Sequence, residues 1–136
     1  MGYQADKIFV NLAVKDLHKT KDFFTKVGFE FNLQFTNEFA ACMVINENIF
    51  AMLLVEDHFK TFTKKEITDS KKSTEAILAL SVESKDKVIE IVNKALEAGA
   101  SPSKDPQDHG FMYGWGFEDI NGHLWELFSM DESAME

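Results

Sequence analysis

Glu126 lies near the end of the chain in the stretch GHLWELFSMD, which runs over residues 122–131. The apolar residues around it predict a strand. A carboxylate on an apolar strand costs free energy unless a cation, a metal ion or a proton compensates its charge. Glu126 is therefore the first candidate for chemistry, as a metal ligand or as a general base. His123 stands three residues earlier, so in a regular strand its side chain points to the opposite face.

The other histidines stand in weaker contexts. His109, in QDHGFMYGWG, precedes an aromatic strand and is the best histidine for the rim of a pocket. Glu56 and His58 have the i, i+2 spacing that places two side chains on one strand face. A charged segment begins there, however, which favours a solvated loop. His18 falls in a helix and is expected to face solvent, and His123 is expected to be a surface or hydrogen-bonded histidine.

Composition and charge limit the classes of function. The chain has 136 residues, of which 45% are hydrophobic, and this fits one globular domain. The net charge of −9 and the pI of about 4.9 argue against a nucleic-acid partner, since phosphate binding needs clustered Lys and Arg. The acidic balance is compatible with a neutral or cationic small ligand.

The sequence also indicates the cellular compartment. No signal sequence is recognisable, and no apolar run reaches the ~18 residues of a membrane span, so we expect a cytoplasmic protein without a membrane partner. Cys42 is the only cysteine, which excludes an internal disulfide. It lies in the apolar run FAACMVI, which predicts a buried structural thiol.

The first half of the chain predicts the order βαβββ. A strand over residues 7–14 precedes a helix that Asp16 caps and Gly28 ends, with an apolar face formed by Leu17, Phe23, Phe24 and Val27. Strict alternation predicts a strand over residues 29–35. Two further strands, 39–45 and 49–55, enclose the turn NEN. The charged segment 56–73 is predicted to be a connection.

The second half predicts the same order. A strand over residues 76–82 precedes an amphipathic helix that Gly99 ends, in which Val88, Ile91, Val92, Ala95 and Leu96 share one face. A short strand near residues 100–104, a loop, and strands over 111–117 and 123–128 follow. We therefore predict one domain over residues 1–136, built by duplication. Module one covers about residues 7–55, the connection about 56–75 and module two about 76–129.

Three stretches resemble the vicinal oxygen chelate superfamily of glyoxalases, bleomycin-resistance proteins and extradiol dioxygenases. They are NLAVKDLHKTKDFFTKVGFEF, ILALSVESKDKVIEIVNKALEAGA and FEDINGHLWELF. The last is similar to the D-P-x-G-x-x-x-E turn of that family, with Ile120 in place of proline. The resemblance implies an α+β fold in which two tandem βαβββ modules form a curved, cup-like mixed sheet. It also implies a homodimer and a small-molecule ligand or divalent metal ion in the concavity.

The resemblance also implies where metal ligands should stand. The four positions fall on Phe9, Leu53, Ile77 and Glu126, and three of these residues are apolar. A single carboxylate does not hold a divalent cation against water. We therefore expect no cofactor, and a divalent metal is disfavoured. Asn11 follows Phe9 by two residues, so it should line the same side of the cup.

One strand is unusually aromatic. Phe111, Tyr113, Trp115 and Phe117 alternate with Met112 and two glycines. Two interpretations remain open: the aromatic face packs against a helix, or it forms a wall of the cup with the Tyr113 hydroxyl and the Trp115 N–H as polar groups. The glycines allow another strand or a ligand to approach closely.

Three hypotheses of function follow. In the first, a metal-free cup lined by aromatic residues binds a small organic molecule, with Glu126 among Phe9, Asn11, Leu53, Ile77, His109, Tyr113 and Trp115. In the second, the protein is a metal-dependent lyase or extradiol-dioxygenase-like enzyme in which Glu126 is a ligand or general base. In the third, side chains fill the cup and the protein has a structural role.

Overall fold

The structure, a computed structural model, describes residues 2–131. The chain divides into two compact units. The first holds the residues up to Thr25 together with Phe29–Ile67, and the second holds Lys26–Gly28 and the residues from Thr68 onward. Within residues 2–131, no helix is long and apolar enough to cross a membrane.

The first unit contains a four-stranded mixed sheet. Its elements are β1 (Ile8–Val14), α1 (Leu17–Val27), β2 (Glu30–Asn32), a 3-10 turn (Leu33–Phe35), β3 (Ala40–Asn46), β4 (Ile49–Val55) and the short helix α2 (Glu56–Phe59). The strand order is β1-β4-β3-β2. β1 runs parallel to β4, whereas the pairs β3–β4 and β2–β3 are antiparallel.

Helix α1 begins and ends where the sequence predicts. The Asp16 carboxylate accepts a hydrogen bond from the backbone N–H of Lys19 at 3.0 Å, which satisfies one of the free donors of the first turn. The predicted apolar face is confirmed, because Leu17, Phe23, Phe24 and Val27 are all buried. Thr20 is buried with them, and its hydroxyl donates to the Asp16 carbonyl oxygen at 2.7 Å.

The strand predicted over residues 29–35 is wrong in its second half. Only Glu30–Asn32 is a strand, and Leu33–Phe35 forms the 3-10 turn. The Asn32 side chain accepts the N–H of Gln34 at 3.0 Å, and this local bond replaces strand pairing. Leu33 and Phe35 are therefore 79% and 63% exposed, although their spacing matched a buried strand face.

The β3–β4 hairpin and its thiol agree with the predictions. Glu47 and Asn48 form the turn, and the Asn46 side chain accepts the N–H of Asn48 at 2.7 Å. Cys42 is a free, buried cysteine on β3, as predicted. Burial raises the pKa of its thiol, because the thiolate would lose hydration.

The second unit repeats the same sheet order. Its elements are β5 (Ile77–Ser81), α3 (Lys85–Glu97), β6 (Ser101–Pro102), β7 (Gln107–Asp108), β8 (Met112–Glu118) and β9 (Leu124–Met130). The order is β5-β9-β8-β6, with β7 also paired to β8. β5 is parallel to β9, as β1 is to β4. The repeated order of elements is thus confirmed, and β7 is a strand that the sequence pattern did not reveal.

Helix α3 covers one face of the second sheet. The Ser84 hydroxyl accepts the N–H of Lys87 at 3.1 Å and caps the helix. Val88, Val92 and Ala95 are fully buried, and α3 packs on β8 and β9. Side chains alternate across a sheet, so this packing leaves the other face of β8 and β9 available for a site.

Candidate functional site

Glu126 lies in the middle of the second sheet, on the face opposite α3. It pairs with Ala79 of β5 on one side and with Gly116 of β8 on the other. Trp125 and Leu127, its neighbours along β9, point the other way and are only 1% exposed. The strand period thus separates a core face from a face that carries a carboxylate.

Gly116 makes room for this carboxylate. A Cβ atom at Gly116 would clash with the Trp125 carbonyl oxygen and would lie 3.2 Å from both Cα and Cγ of Glu126. The absent side chain lets β8 approach β9 closely beneath Glu126. At Gly114, by contrast, the nearest atoms would lie at an ordinary 3.8 Å.

An open cavity of about 350 Å³ lies beside Glu126, within the second unit. Its apolar part is formed by Ala79, Met112, Gly114 and Phe128. Its polar part is formed by Lys104, Gln107, His109 and Glu126. We call it the Glu126 cavity. A cavity of this volume with a mostly apolar lining and a few polar groups is typical of a small-molecule site.

Lys104 is the charge partner of Glu126. Its Nζ lies 3.0 Å from Glu126 Oε1, with the lysine side chain 54% exposed and the glutamate side chain 32% exposed. Lys104 was not among the predicted site residues. It stands in the loop between β6 and β7, far from Glu126 in the chain. No spacing pattern could have found it, because only the fold of that loop brings the two together.

The donor set at Glu126 does not fit the divalent metal that the resemblance implies. The residues paired with Glu126, Ala79 and Gly116, carry no donor side chain, and the nearest charged group is an ammonium. Across residues 2–131, no three His, Cys, Asp or Glu side chains form a group that could hold a metal ion. Octahedral sites need several oxygen or imidazole ligands, which a single carboxylate paired with a lysine does not supply.

Asp119 organises the turn that leads into β9. It is 3% exposed, and its carboxylate accepts the N–H groups of Asn121 at 2.9 Å and His123 at 3.0 Å and the indole N–H of Trp125 at 2.9 Å. Burial raises the pKa of Asp119, because desolvation outweighs these bonds and the nearby His123. The sequence signal was present, since Asp119 begins the motif that ends at Glu126.

Gly122 completes this turn. Its φ is +96°, a conformation that side chains of L-residues rarely adopt. A Cβ atom there would also lie 2.6–2.7 Å from backbone atoms of Ser70 and Lys71. Both the backbone conformation of this turn and its close approach to Ser70 and Lys71 therefore require a glycine at position 122.

The predicted pocket residues of the second unit separate into two groups. His109 lines the Glu126 cavity. Ile77 lies on the face of Glu126 and is 55% exposed, but it does not line the cavity. Tyr113 and Trp115 need correction, because the register with β9 places them on the α3 face. Lys85 of α3 lies over the Tyr113 ring, 4.8 Å from its centroid.

The aromatic strand is therefore core packing, and not a wall of the cavity. Phe117, on the same face as Tyr113 and Trp115, is 1% exposed beneath α3. The apolar surface of the cavity comes instead from the bare side of the same strand, where Met112 and Gly114 lie, together with Phe128 of β9.

The predicted position of Leu53 in the pocket also needs correction. Phe9 pairs with Phe50 as Ile77 pairs with Leu124, and Asn11 pairs with Met52 as Ala79 pairs with Glu126. Met52, and not Leu53, thus corresponds to Glu126. Leu53 points to the opposite face and is fully buried. The run IFAMLLV has no apolar–polar alternation, so it gave no register, and a slip of one residue reverses the facing.

Phe9 and Asn11 lie on one face of the first sheet, as predicted. The Phe9 ring stacks on Phe50 with centroids 4.7 Å apart and planes 10° from parallel. Phe9 remains 49% exposed, and the Asn11 side chain donates to the Phe9 carbonyl oxygen at 3.4 Å.

The remaining histidines lie apart from the cavity. His18 is exposed on α1, 3.7 Å from Asp22. His58 lies in α2 rather than in a strand, with ring centroids of Phe39 and Phe62 at 6.0 and 5.4 Å. His123 precedes β9 and belongs to the Asp119 turn.

Comparisons with known proteins agree with this architecture. The family model of the "Glyoxalase/Bleomycin resistance protein/Dioxygenase superfamily" matches residues 8–127. The solved structure of hypothetical protein SA1046 from S. aureus is 25% identical, with a TM-score of 0.77 over 93% of this chain and 95% of that one. None of the curated proteins matches the chain.

Two more distant structures share the fold. A glyoxalase/bleomycin resistance protein/dioxygenase family enzyme from Burkholderia phytofirmans PsJN is 18% identical, with a TM-score of 0.78 over 93% of this chain and 99% of that one. The fosfomycin resistance protein FosX from Listeria monocytogenes is 20% identical, with a TM-score of 0.66 over 93% of this chain and 92% of that one.

Proposed function

Because the chain belongs to the glyoxalase/bleomycin resistance protein/dioxygenase superfamily, we propose that it is a binding protein of that fold. It binds a small organic molecule in the Glu126 cavity, and it does so without a divalent metal. The family alone does not assign this function, since one fold carries many chemistries. The assignment depends on what surrounds Glu126.

One observation carries the proposal: the carboxylate in this open cavity forms an ion pair with a lysine, and residues 2–131 hold no group of three His, Cys, Asp or Glu side chains that could bind a metal ion. Its neighbours Ala79 and Gly116 add no donors, and the apolar side chains beside it suit an organic ligand. The aromatic contribution comes from Phe128, in place of the predicted Tyr113 and Trp115. The cavity is also open, which argues against a role in which side chains fill the site.

Filling the cavity tests the binding function. Ala79 lines the cavity and is exposed, so Ala79→Leu should occupy ligand space without disturbing the core. We expect ligand-observed NMR against a library of charged and neutral aromatic fragments, in the presence of EDTA, to find binders that Ala79→Leu no longer binds.

Ala76→Leu is the matched control, because Ala76 is exposed, precedes the same strand and lies outside the cavity. It should bind the fragments as the natural chain does. Equal binding by both variants would place the ligands elsewhere, and an absence of any binder would contradict the proposed function.

Metal analysis separates this proposal from the enzyme alternative. In that alternative, Glu126 is a ligand or general base of a metal-dependent lyase or extradiol-dioxygenase-like enzyme. Protein purified without chelators should contain no stoichiometric metal. One equivalent of zinc, nickel, iron or manganese that Glu126→Ala removes would favour the enzyme instead.

We also propose that the protein is a homodimer, as the resemblance to the family implies. Several large apolar side chains on the first unit are exposed: Leu33 at 79%, Phe35 at 63% and Phe62 at 68%. Exposed apolar side chains of this size are typical of surfaces that another chain covers.

A further inference from the structure

We propose that the ligand of the Glu126 cavity is an organic cation and that Lys104 competes with it for the Glu126 carboxylate. The inference rests on the proposed function and adds the chemical class of the ligand. It assigns Lys104 the role of an internal cation that occupies the ligand's charge position when the ligand is absent.

Glu126 is a fixed negative charge. It lies on β9, an inner strand that pairs with β5 on one side and β8 on the other, and the absent side chain of Gly116 lets the neighbouring backbone lie close beneath it. Its carboxylate is about one-third exposed and opens into the cavity. Among the ion pairs of residues 2–131, Glu126 takes part only in the one with Lys104.

Lys104 is a partner that a ligand can displace. Its side chain is 54% exposed, and the residue stands in the loop between β6 and β7, without a place in either strand. An exposed ion pair contributes little to stability, because the ammonium regains its hydration when it leaves. A cation that also buries apolar surface can therefore take the place of Lys104.

The lining favours a partly apolar cation over an anion. An anion that bound the Lys104 ammonium would come within a few ångströms of the Glu126 carboxylate and be repelled by it, since the two charges are 3.0 Å apart. A cation meets the fixed carboxylate directly, while Phe128 and Met112 provide apolar surface for the remainder of the molecule.

Three probes that share one ring but differ in charge test the class of ligand. They are benzylammonium, benzyl alcohol and benzoate, each titrated into ¹⁵N-labelled protein at pH 7 in the presence of EDTA. We expect benzylammonium to shift the amide signals of Gly114, Gly116 and Glu126 at the lowest concentration. Equal or tighter binding of benzyl alcohol or benzoate would overturn the cation assignment while leaving the binding function standing.

Removing Lys104 tests the competition. Lys104→Ala should tighten benzylammonium binding about two- to five-fold, which corresponds to the loss of an exposed ion pair. Lys94→Ala is the control, because Lys94 forms a comparable exposed pair with Glu90 at 3.4 Å on α3 and removes the same charge. An equal change in both variants, or weaker binding by Lys104→Ala, would overturn the role of Lys104.

Removing the carboxylate tests the anchor. Glu126→Gln should weaken benzylammonium roughly ten-fold or more, since a hydrogen bond to a charged group is lost. Glu90→Gln, with the same change of charge on α3, should bind as the natural chain does. If Glu126→Gln binds benzylammonium normally, the inference is wrong. If none of the three probes shifts the cavity signals, the inference fails, whereas the proposed function fails only if the fragment library also yields no binder.

Discussion

Asp119 and Glu126 are seven residues apart in the chain, and the two carboxylates differ in their surroundings. Asp119 is buried, and three N–H donors of one turn satisfy its oxygens. Glu126 is partly exposed, and its partner is the Lys104 side chain, which is itself 54% exposed. The first carboxylate maintains the local structure, and the second remains accessible to a ligand.

Asp119→Asn should destabilise the protein. The amide cannot accept from every donor of the turn, so a buried N–H loses its partner at a cost of about 1–3 kcal/mol. Burial raises the pKa of Asp119, so the folded state binds its proton more tightly than the unfolded state. The stabilisation of the folded state by Asp119 is therefore complete below the ordinary carboxyl pKa of about 3.9 and declines as the pH rises through the pKa of the folded state.

Urea denaturation at pH 4 and pH 7 measures this effect. The stability lost in Asp119→Asn should be larger at pH 4. Asp105→Asn, at an exposed loop aspartate, should leave stability unchanged at both values. A loss of stability that grows toward pH 7 would mean that the three hydrogen bonds outweigh desolvation and lower the pKa of Asp119.

At the scale of elements, the two faces of β8 have different surroundings. Its aromatic side chains lie on the face beneath α3, whereas Met112 and Gly114 on the other face line the cavity. The glycine opposite Glu126 determines how closely β8 and β9 approach, whereas Gly114 leaves ordinary contact distances. The spacing of β8 and β9 and the position of the Glu126 side chain therefore both depend on the pair Gly116–Glu126.

Gly116→Ala should destabilise the protein by about 1–3 kcal/mol, since the new methyl group has to displace backbone of β9. Gly114→Ala is the matched control on the same strand and face, and it should change stability far less. Denaturant unfolding of the two variants checks this expectation. Equal effects would show that β9 yields readily at Gly116.

At the scale of the whole molecule, one sheet order occurs twice, with different side chains on the equivalent faces. The second unit carries a carboxylate and a cavity. The first carries Met52 at the equivalent register position and a stacked aromatic pair, Phe9 and Phe50. The two units therefore share the backbone pairing, and the side chains on the equivalent faces differ.

The proposed homodimer gives a prediction at this scale. Size-exclusion chromatography with light scattering should report twice the chain mass of 15.5 kDa at micromolar concentration. Phe62→Ser, at a 68% exposed aromatic residue, tests whether the exposed apolar surface of the first unit contributes. A monomeric mass for the natural chain would contradict the dimer, independently of ligand binding.

The order of elements could be predicted because it depends on local interactions. The caps at Asp16 and Ser84 and the periodicity of α1 and α3 are properties of neighbouring residues. The prediction failed where a local hydrogen bond competed with the pattern, as at Asn32, where the capped turn replaced the second half of the strand predicted over residues 29–35. It also missed β7, whose two residues form too short a strand to show a pattern.

The family, the repeated βαβββ order and the interest of Glu126 could all be predicted from the sequence, since they depend on local periodicity and one short motif. The tertiary structure alone decided which residues meet Glu126. In the first sheet, Met52 and not Leu53 stands at the register position of Glu126. Tyr113 and Trp115 face α3, and the Lys104 ammonium lies 3.0 Å from the Glu126 carboxylate. Register and loop paths depend on contacts between distant residues, and a strand of uniform apolar residues does not record them.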